Sequence, residues 1–214
     1  MVMQAATYDA WPATVKVLSQ PMGAYLSFVM DHDGKIIRER YFDEQSLKKS
    51  WAVIDIGHYT TDYPLMKEGV NQQGKAESGE GISKAVKNLQ HILLNSRGIT
   101  IDALRGEVVL REKRVKHMGS YVAVDKEVEN AILPVAENII EHAITIFSKE
   151  VAGLDGILLA GGGAEMVYSQ LVKKWPHVNL TVEPRMAIVE GYLRYGKGAV
   201  AAEGTKQMAD KSAA

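Results

Sequence analysis

Trp51 to Lys67 (WAVIDIGHYTTDYPLMK) restricts the possible folds of this chain more than any other stretch. An apolar run, Ala52-Val53-Ile54, leads through Asp55 into Ile56 and Gly57. A polar bend follows from His58 to Asp62, and Tyr63, Leu65 and Met66 restore the apolar character. This is the pattern of two strands joined by a tight hairpin. Gly57 lets backbone amides approach a ligand closely and adopts positive φ without penalty. Amides and hydroxyls gathered on such a bend form a concave anion site, and Asp55 at the strand end suits a hydrated Mg²⁺. On the residues alone, Asp55 and Asp62 equally suit an ordinary hairpin turn.

A chain of 214 residues holds one full domain with a sizeable core, with room for part of a second. Charged residues make up 24% and the formal net charge is −1, so no global basic field points to nucleic acid or an anionic membrane. Cysteine is absent, which excludes disulfides and thiolate metal sites. No apolar run approaches the roughly 18 residues of a membrane span. With no signal-peptide pattern, the cytoplasm is the expected compartment.

In chain order, Val15 to Leu18 reads as a short strand entering Ser19-Gln20-Pro21, and Met22 to Met30 as a buried helix. Ile36 to Lys49 is charged and reads as solvated surface. Gly69 to Lys75 is turn-like, and Ala76 to Gly81 suits the end of a third strand and the start of a helix. Helical spacing over Ile82 to Asn95 ends at Gly98, and Ile101 to Arg111 is a second amphipathic stretch. Arg111 to Lys116 (REKRVK) is a local basic cluster, and Tyr121 to Val124 reads as a strand. Asp125 suits the N-cap of a long helix over Lys126 to Lys149, where Pro134 should either kink it or mark its true first turn. Leu154 to Ala160 is a wholly apolar strand broken by Gly161-Gly162-Gly163, with a helix expected over Ala164 to Trp175. Val178 to Val182 is a last strand, Ala187 to Tyr195 a last helix, and Gly198 to Ala214 reads as a frayed tail. Three strands followed by alternating β and α imply a mixed sheet with helices packed against it.

The triple glycine admits a flat group onto backbone, and the helix after it favours negative charge. By itself such a run suits a plain strand-to-helix loop, and it lacks the GxGxxG spacing of a dinucleotide fingerprint. Taken together, Asp55-Ile56-Gly57-x-x-Thr60-Thr61-Asp62, Leu158 to Ala164 (LLAGGGA) and Pro184 to Gly191 (PRMAIVEG) carry a family likeness. In that order they resemble the actin, sugar-kinase and heat-shock-chaperone ATPase superfamily. The plasmid-segregation proteins of the ParM/StbA type are the nearest in look. The resemblance runs from about Val15 to Gly196.

It implies an α/β fold, a ribonuclease-H-like actin-type ATPase half with a mixed five-stranded sheet and helices on both faces. ATP and Mg²⁺ are the implied cofactors. Gly57, His58, Thr60 and Thr61 would grip phosphates, Asp55 would organise the metal and its water, and Gly161, Gly162, Gly163 and Ala164 would hold the adenosine. Gln20 falls where such proteins carry a water-orienting catalytic glutamine or glutamate, although it equally suits a solvent-facing turn. Arg111 and Glu112 match a charged pair that reaches the nucleoside, and a solvated helix face is the alternative. His58 stands where glycine is common.

The first Asp-x-Gly motif of these ATPases is not found before Gln20. The expected organisation is therefore a remnant of the first half and crossover over 1–50, a nucleotide-binding second half over 51–200, and a flexible tail over 201–214. The implied function is filament formation in plasmid or DNA segregation, with hydrolysis only where the missing half is supplied. Implied partners are further copies of the chain and a DNA-bound adaptor, with no direct nucleic-acid or membrane contact. A kinase or chaperone-like ATPase on the same fold, or a non-catalytic interaction module, are the alternative readings.

Overall fold

A computed structural model of the chain describes residues 17–72 and 78–212. The apolar run and its bend form the expected hairpin: β1 (Trp51–Ile56) pairs antiparallel with β2 (Thr60–Asp62), with Asp55 opposite Asp62 and Ile56 opposite Thr61. After Tyr63-Pro64 the same edge of β1 is taken by β3 (Leu65–Lys67), with Trp51 opposite Met66. The short strands β4 (Val70–Asn71) and β5 (Ser78–Glu80) extend β3 and β2 outward, both antiparallel. On the other edge of β1, β8 (Gly156–Ala160) runs parallel to it and β9 (Val178–Leu180) runs parallel to β8. Seven strands thus occupy five rows of one mixed sheet. The expected five-stranded sheet is matched row by row, with the outer two rows on one side each split in two.

β1 and β8 are buried along their whole length. Alternation sends Ala52, Ile54 and Ile56, with Ile157 and Leu159, into the larger core. That core is closed by α3 (Ser83–Arg97), α4 (Ala103–Glu112), α5 (Asp125–Phe147) and α6 (Ala164–Lys174). Gly98 ends α3 in the left-handed conformation, as its position predicts, and Pro134 lies inside α5. Trp51 and Val53, with Leu158 and Ala160, face the opposite way, toward α1 (Gln20–Val29) and α7 (Ala187–Ser212). Helices therefore cover both faces.

α1 and α7 cross almost backbone to backbone. A Cβ on Gly191 would lie 1.8 Å from the Gly23 carbonyl oxygen, and one on Gly23 would lie 2.6 Å from that of Ile188. Arg194 of α7 is buried at this crossing, where its guanidinium donates to the carbonyls of Ser27 and Met30 at the end of α1. A cation on terminal carbonyls satisfies orphan acceptors and opposes the negative end of the helix dipole. Its Nε donates to Glu190 Oε1 at 3.0 Å, and this bond holds the Glu190 carboxyl below its ordinary range.

Several expectations are revised. Residues 17–19 form no strand, and Val15 and Lys16 of that expected strand lie outside the described residues. Gln73 to Lys75 and Ala76-Glu77 also lie outside them. Within the charged stretch, α2 (Arg38–Tyr41) is a short helix whose Arg40 carbonyl accepts from Trp51 Nε1 at 3.1 Å. Half of the basic cluster is itself a strand: β6 (Arg114–His117) pairs with β7 (Ser120–Ala123) as a separate hairpin, with Val115 turned into the core and Arg114 stacked on Tyr121. The last helix does not stop at Tyr195 but continues to Ser212, as its alanines and lysines favour.

Candidate functional site

Because β1 and β8 are parallel neighbours with Asp55 opposite Ala160, the bends that follow them leave the sheet side by side. They are joined by backbone. Gly163 N–H donates to the Ile56 carbonyl at 2.9 Å, and Gly161 N–H to that of Pro184 at 2.9 Å. Gly161 has φ +87°, and a Cβ there would lie 2.4 Å from the Ile56 oxygen and 2.6 Å from Asp55 Oδ1. A glycine is required here by both conformation and space. Replacing it by Ala is expected to destabilise the chain by about 2–4 kcal/mol, read as a shifted urea midpoint at unchanged slope. An unshifted midpoint would show that the bends are not clasped.

The β1–β2 bend is propped from beneath. Gly81, Ile82 and Ser83 donate to the carbonyls of Tyr59, Gly57 and His58, so the first turn of α3 is satisfied by the bend itself. This fixes which groups of the bend remain. Among the described residues the amides of His58, Tyr59 and Gly162 donate to no backbone carbonyl. Gly162 is also open on its Cβ side, where the first atom met is Arg111 Nη2 at 3.9 Å. Unpaired amides on two adjacent bends, with a guanidinium beside one of them, make an anion-binding ledge.

Asp55 is the only charged residue in the two buried central strands. It shares the α1/α7 face with Trp51 and Val53, is 7% exposed, and stands directly opposite Asp62. Burial, and secondarily the Asp62 charge, push its carboxyl up to about 6. Tyr192 of α7 lies over it: burial and the Asp55 charge both raise the Tyr192 phenol, whose hydroxyl donates to the Leu18 carbonyl at 3.3 Å. Phe28 near the far end of α1 packs on Trp51 at the start of β1, with ring centroids 4.6 Å apart. Eight residues of helix and four of strand each span about 12–13 Å. The start of α1, with Gln20 exposed on it, therefore sits over the Asp55 end of β1.

The structure brings Asp55, Gly57, His58, Thr60, Gly161, Gly162, Gly163, Arg111 and the Gln20 end of α1 to one edge of the sheet. Thr60 is exposed on that edge and its carbonyl accepts from Gly57 N–H at 2.8 Å. Thr61 departs from the expected phosphate grip: it is fully buried, and its hydroxyl donates to the Glu80 carbonyl at 2.8 Å, tying β2 to β5. Ala164 is buried too, with its amide engaged by Gly161 O at 3.2 Å. Glu112 is an exposed partner of Arg114 at 3.0 Å, and only Arg111 of the expected pair reaches the glycines. His58 Nδ1 meets Glu107 Oε1 at 2.9 Å. Gly81, Glu107 and Tyr192 support the site with no signal of that role in the sequence, whereas Pro184 opens the PRMAIVEG motif.

No group of three or more His, Cys, Asp or Glu side chains gathers as a metal cage among the described residues, and no helix in them is long and apolar enough to cross a membrane. No curated protein matches the sequence. Solved structures do. An archaeal actin homologue in complex with ADP aligns at TM-score 0.65 and 19% identity, over 85% of this chain and 56% of its own. The 15-stranded ParM filament from Clostridium botulinum aligns at 0.65 and 22%, over 82% and 51%. MreB5 of Spiroplasma citri bound to ADP aligns at 0.55 and 14%, over 82% and 57%. The chain thus spans about half the length of these structures, and at such identities they establish an actin-like fold. The family model of the archaeal actin homologue MreB-like, C-terminal, matches residues 53–173, more than half of the chain and both bends, so the chain belongs to that family of actin-like proteins.

Proposed function

We propose that this chain is the nucleotide-binding half of an actin-like filament protein, and that ATP with Mg²⁺ binds on the ledge between the β1–β2 and β8–α6 bends. The observation that carries this reading is the clasp between them, Gly163 N–H on Ile56 O, beside unpaired amides and a buried carboxylate. In this reading residues 51–200 form the binding half, and residues 1–50 belong to the crossover from a first half.

The residues fit the group. The amides of His58 and Tyr59 bind phosphate oxygens, and Gly162, with no side chain of its own, lets the nucleoside lie against backbone beside Arg111. Asp55, with Asp62 opposite, would hold a hydrated Mg²⁺, an ion that needs only one or two carboxylates where phosphates supply other ligands. Gln20 orients a water from the start of α1. Bound ATP and Mg²⁺ supply the cleavable phosphoanhydride and its charge neutralisation, and the protein's share is positioning and electrostatics. Hydrolysis therefore needs the opposite wall as well. Assembly into filaments, and a role in plasmid or DNA segregation through a DNA-bound adaptor, are the finer parts of the proposal. They are supported by the ParM filament among the fold's neighbours.

Calorimetric titration of the chain with ADP or ATP, with and without Mg²⁺, tests the reading. A half-site should bind with Kd on the order of 0.1–1 mM and bind more tightly with Mg²⁺. Absence of heat for both nucleotides at several millimolar would sink it and favour a non-catalytic interaction module.

A further inference from the structure

α4 brings two charges of opposite sign to the ledge. Glu107 and Arg111 stand one turn apart on one face of the helix, and each meets a different bend. Glu107 Oε1 lies 2.9 Å from His58 Nδ1 on the β1–β2 bend, and Arg111 Nη2 is the first atom on the open side of Gly162. A guanidinium suits a surface that binds anions. A carboxylate does not unless its charge is balanced, and among the described residues the ion-pair partner of Glu107 is His58.

Both side chains of this pair are only half-buried, and so exposed a pair contributes little to stability. Its weight lies in the charge it leaves beside the ledge. A phosphate oxygen held about 3 Å from the His58 amide nitrogen is on the order of 10 Å or less from the Glu107 carboxylate, because only the His58 side chain separates the two. At that distance low salt does not screen the repulsion. Histidine is the side chain that changes charge between about pH 5 and 8. With the imidazole protonated the pair is neutral overall; with it neutral, the carboxylate stands uncompensated.

Other charges surround the bend. Asp55 and Asp62 lie on its own hairpin, Glu80 and Lys84 pair with each other at 3.8 Å where α3 begins, and Glu165 is in the first turn of α6. The ring of Tyr59 stands edge-on to that of His58, with centroids 4.3 Å apart. Of these groups Asp55, whose carboxyl is pushed up to about 6, also titrates near neutral pH, so the effect of His58 is read as a difference between variants that all keep Asp55.

We propose that the His58–Glu107 pair makes nucleotide binding on the ledge pH-dependent, admitting phosphates when His58 is protonated and repelling them through Glu107 when it is not. The inference rests on the nucleotide reading above. His58 thereby contributes its side chain as well as its amide, and Glu107 is the group that sets the sign of the response.

Calorimetric titration of the full chain with ADP, in EDTA and low salt at pH 6 and pH 8, tests it. The Kd of wild type should rise between the two pH values about 5–10-fold more than that of His58→Gln, which should match wild type at pH 8 and bind more weakly at pH 6. Glu107→Gln should bind more tightly than wild type at pH 8, by a similar factor, and His58→Gln/Glu107→Gln more tightly than His58→Gln alone. In 1 M salt these differences should shrink to less than about twofold. Circular dichroism verifies that each variant is folded, and Glu107→Gln at pH 8 decides the matter by itself if His58→Gln is not. Parallel pH profiles for wild type and His58→Gln overturn the proposal. So does weaker binding by Glu107→Gln at pH 8, which would make the pair a structural strut. Absence of heat for every variant at both pH values is the distinct failure of the nucleotide reading, and the proposal falls with it.

Discussion

Asp55→Asn is expected to make the nucleotide-free chain more stable at pH 7.5, by as much as about 3 kcal/mol, while removing the Mg²⁺ dependence of nucleotide binding. Asp55 is buried opposite Asp62, and its carboxyl is pushed up to about 6. Its unfolded value is near 3.9. Between those values the folded state holds the proton more tightly than the unfolded state. Stability therefore falls as pH rises from about 4 to 6, and the full cost of the buried charge is present above that. Asparagine keeps the shape without the charge. For a domain of this size the gain corresponds to a rise of roughly 6–12 °C in Tm. The difference between the two proteins should close as pH is lowered to about 4, where Asp55 is protonated in the folded wild type. A variant no more stable than wild type at pH 7.5 would mean that the carboxylate is already compensated. A gain that persists at pH 4 would mean that its charge is not the cause. A residue that weakens the fold while standing beside an anion-binding ledge is what a site for a cation and a phosphate would require.

What could be read from the chain in advance depended on how local each requirement was. Gly57 with the polar run to Asp62, and Gly161 to Gly163 after an apolar strand, announce bends because backbone conformation is set within a few residues. Gly98 announces a helix end for the same reason. That the two bends touch was not local. It follows from the parallel pairing of β1 with β8, whose residues lie about a hundred positions apart, and before that pairing is known only a family likeness places them together. The face of each strand residue was the weakest inference. A period of two makes Thr60 and Thr61 point oppositely, and the register Ile56 to Thr61 decides that Thr61 is the one turned inward. β6 was hidden because Arg114 and Lys116 sit on its solvent side, so a strand with one wet face reads as a charged cluster. Gly191 of PRMAIVEG read as an ordinary residue of the last helix, and Gly198 as part of a loose tail. Both are instead points where α7 meets another backbone.

Gly191→Ala separates those two meanings, because local and tertiary effects there have opposite signs. In an exposed helix the change would add about 1 kcal/mol of stability through backbone propensity. At the α1–α7 crossing, the new Cβ would lie 1.8 Å from the Gly23 carbonyl oxygen and 2.8 Å from the Ser27 amide nitrogen, which are backbone atoms with no rotamer to yield. The helices must part, and Arg194 must lengthen its bonds to Ser27 and Met30. Overpacking of this kind outweighs the propensity gain, and a net loss of about 3 kcal/mol is expected, seen as a Tm lower by roughly 6–12 °C. Gly196→Ala in the same helix is the matched control: with nothing within 4 Å of its Cβ it should be neutral or stabilising. The crossing also determines the environment of Asp55, since α1 presents the Gln20 end and α7 presents Tyr192 above it. Parting the helices admits water to the carboxylate and lowers the cost of its charge. Asp55→Asn should consequently stabilise the Gly191→Ala background by at least 1 kcal/mol less than it stabilises wild type. Additive effects in this double-mutant cycle would show that the crossing and the carboxylate are independent, and that the desolvation of Asp55 is not imposed by α1 and α7.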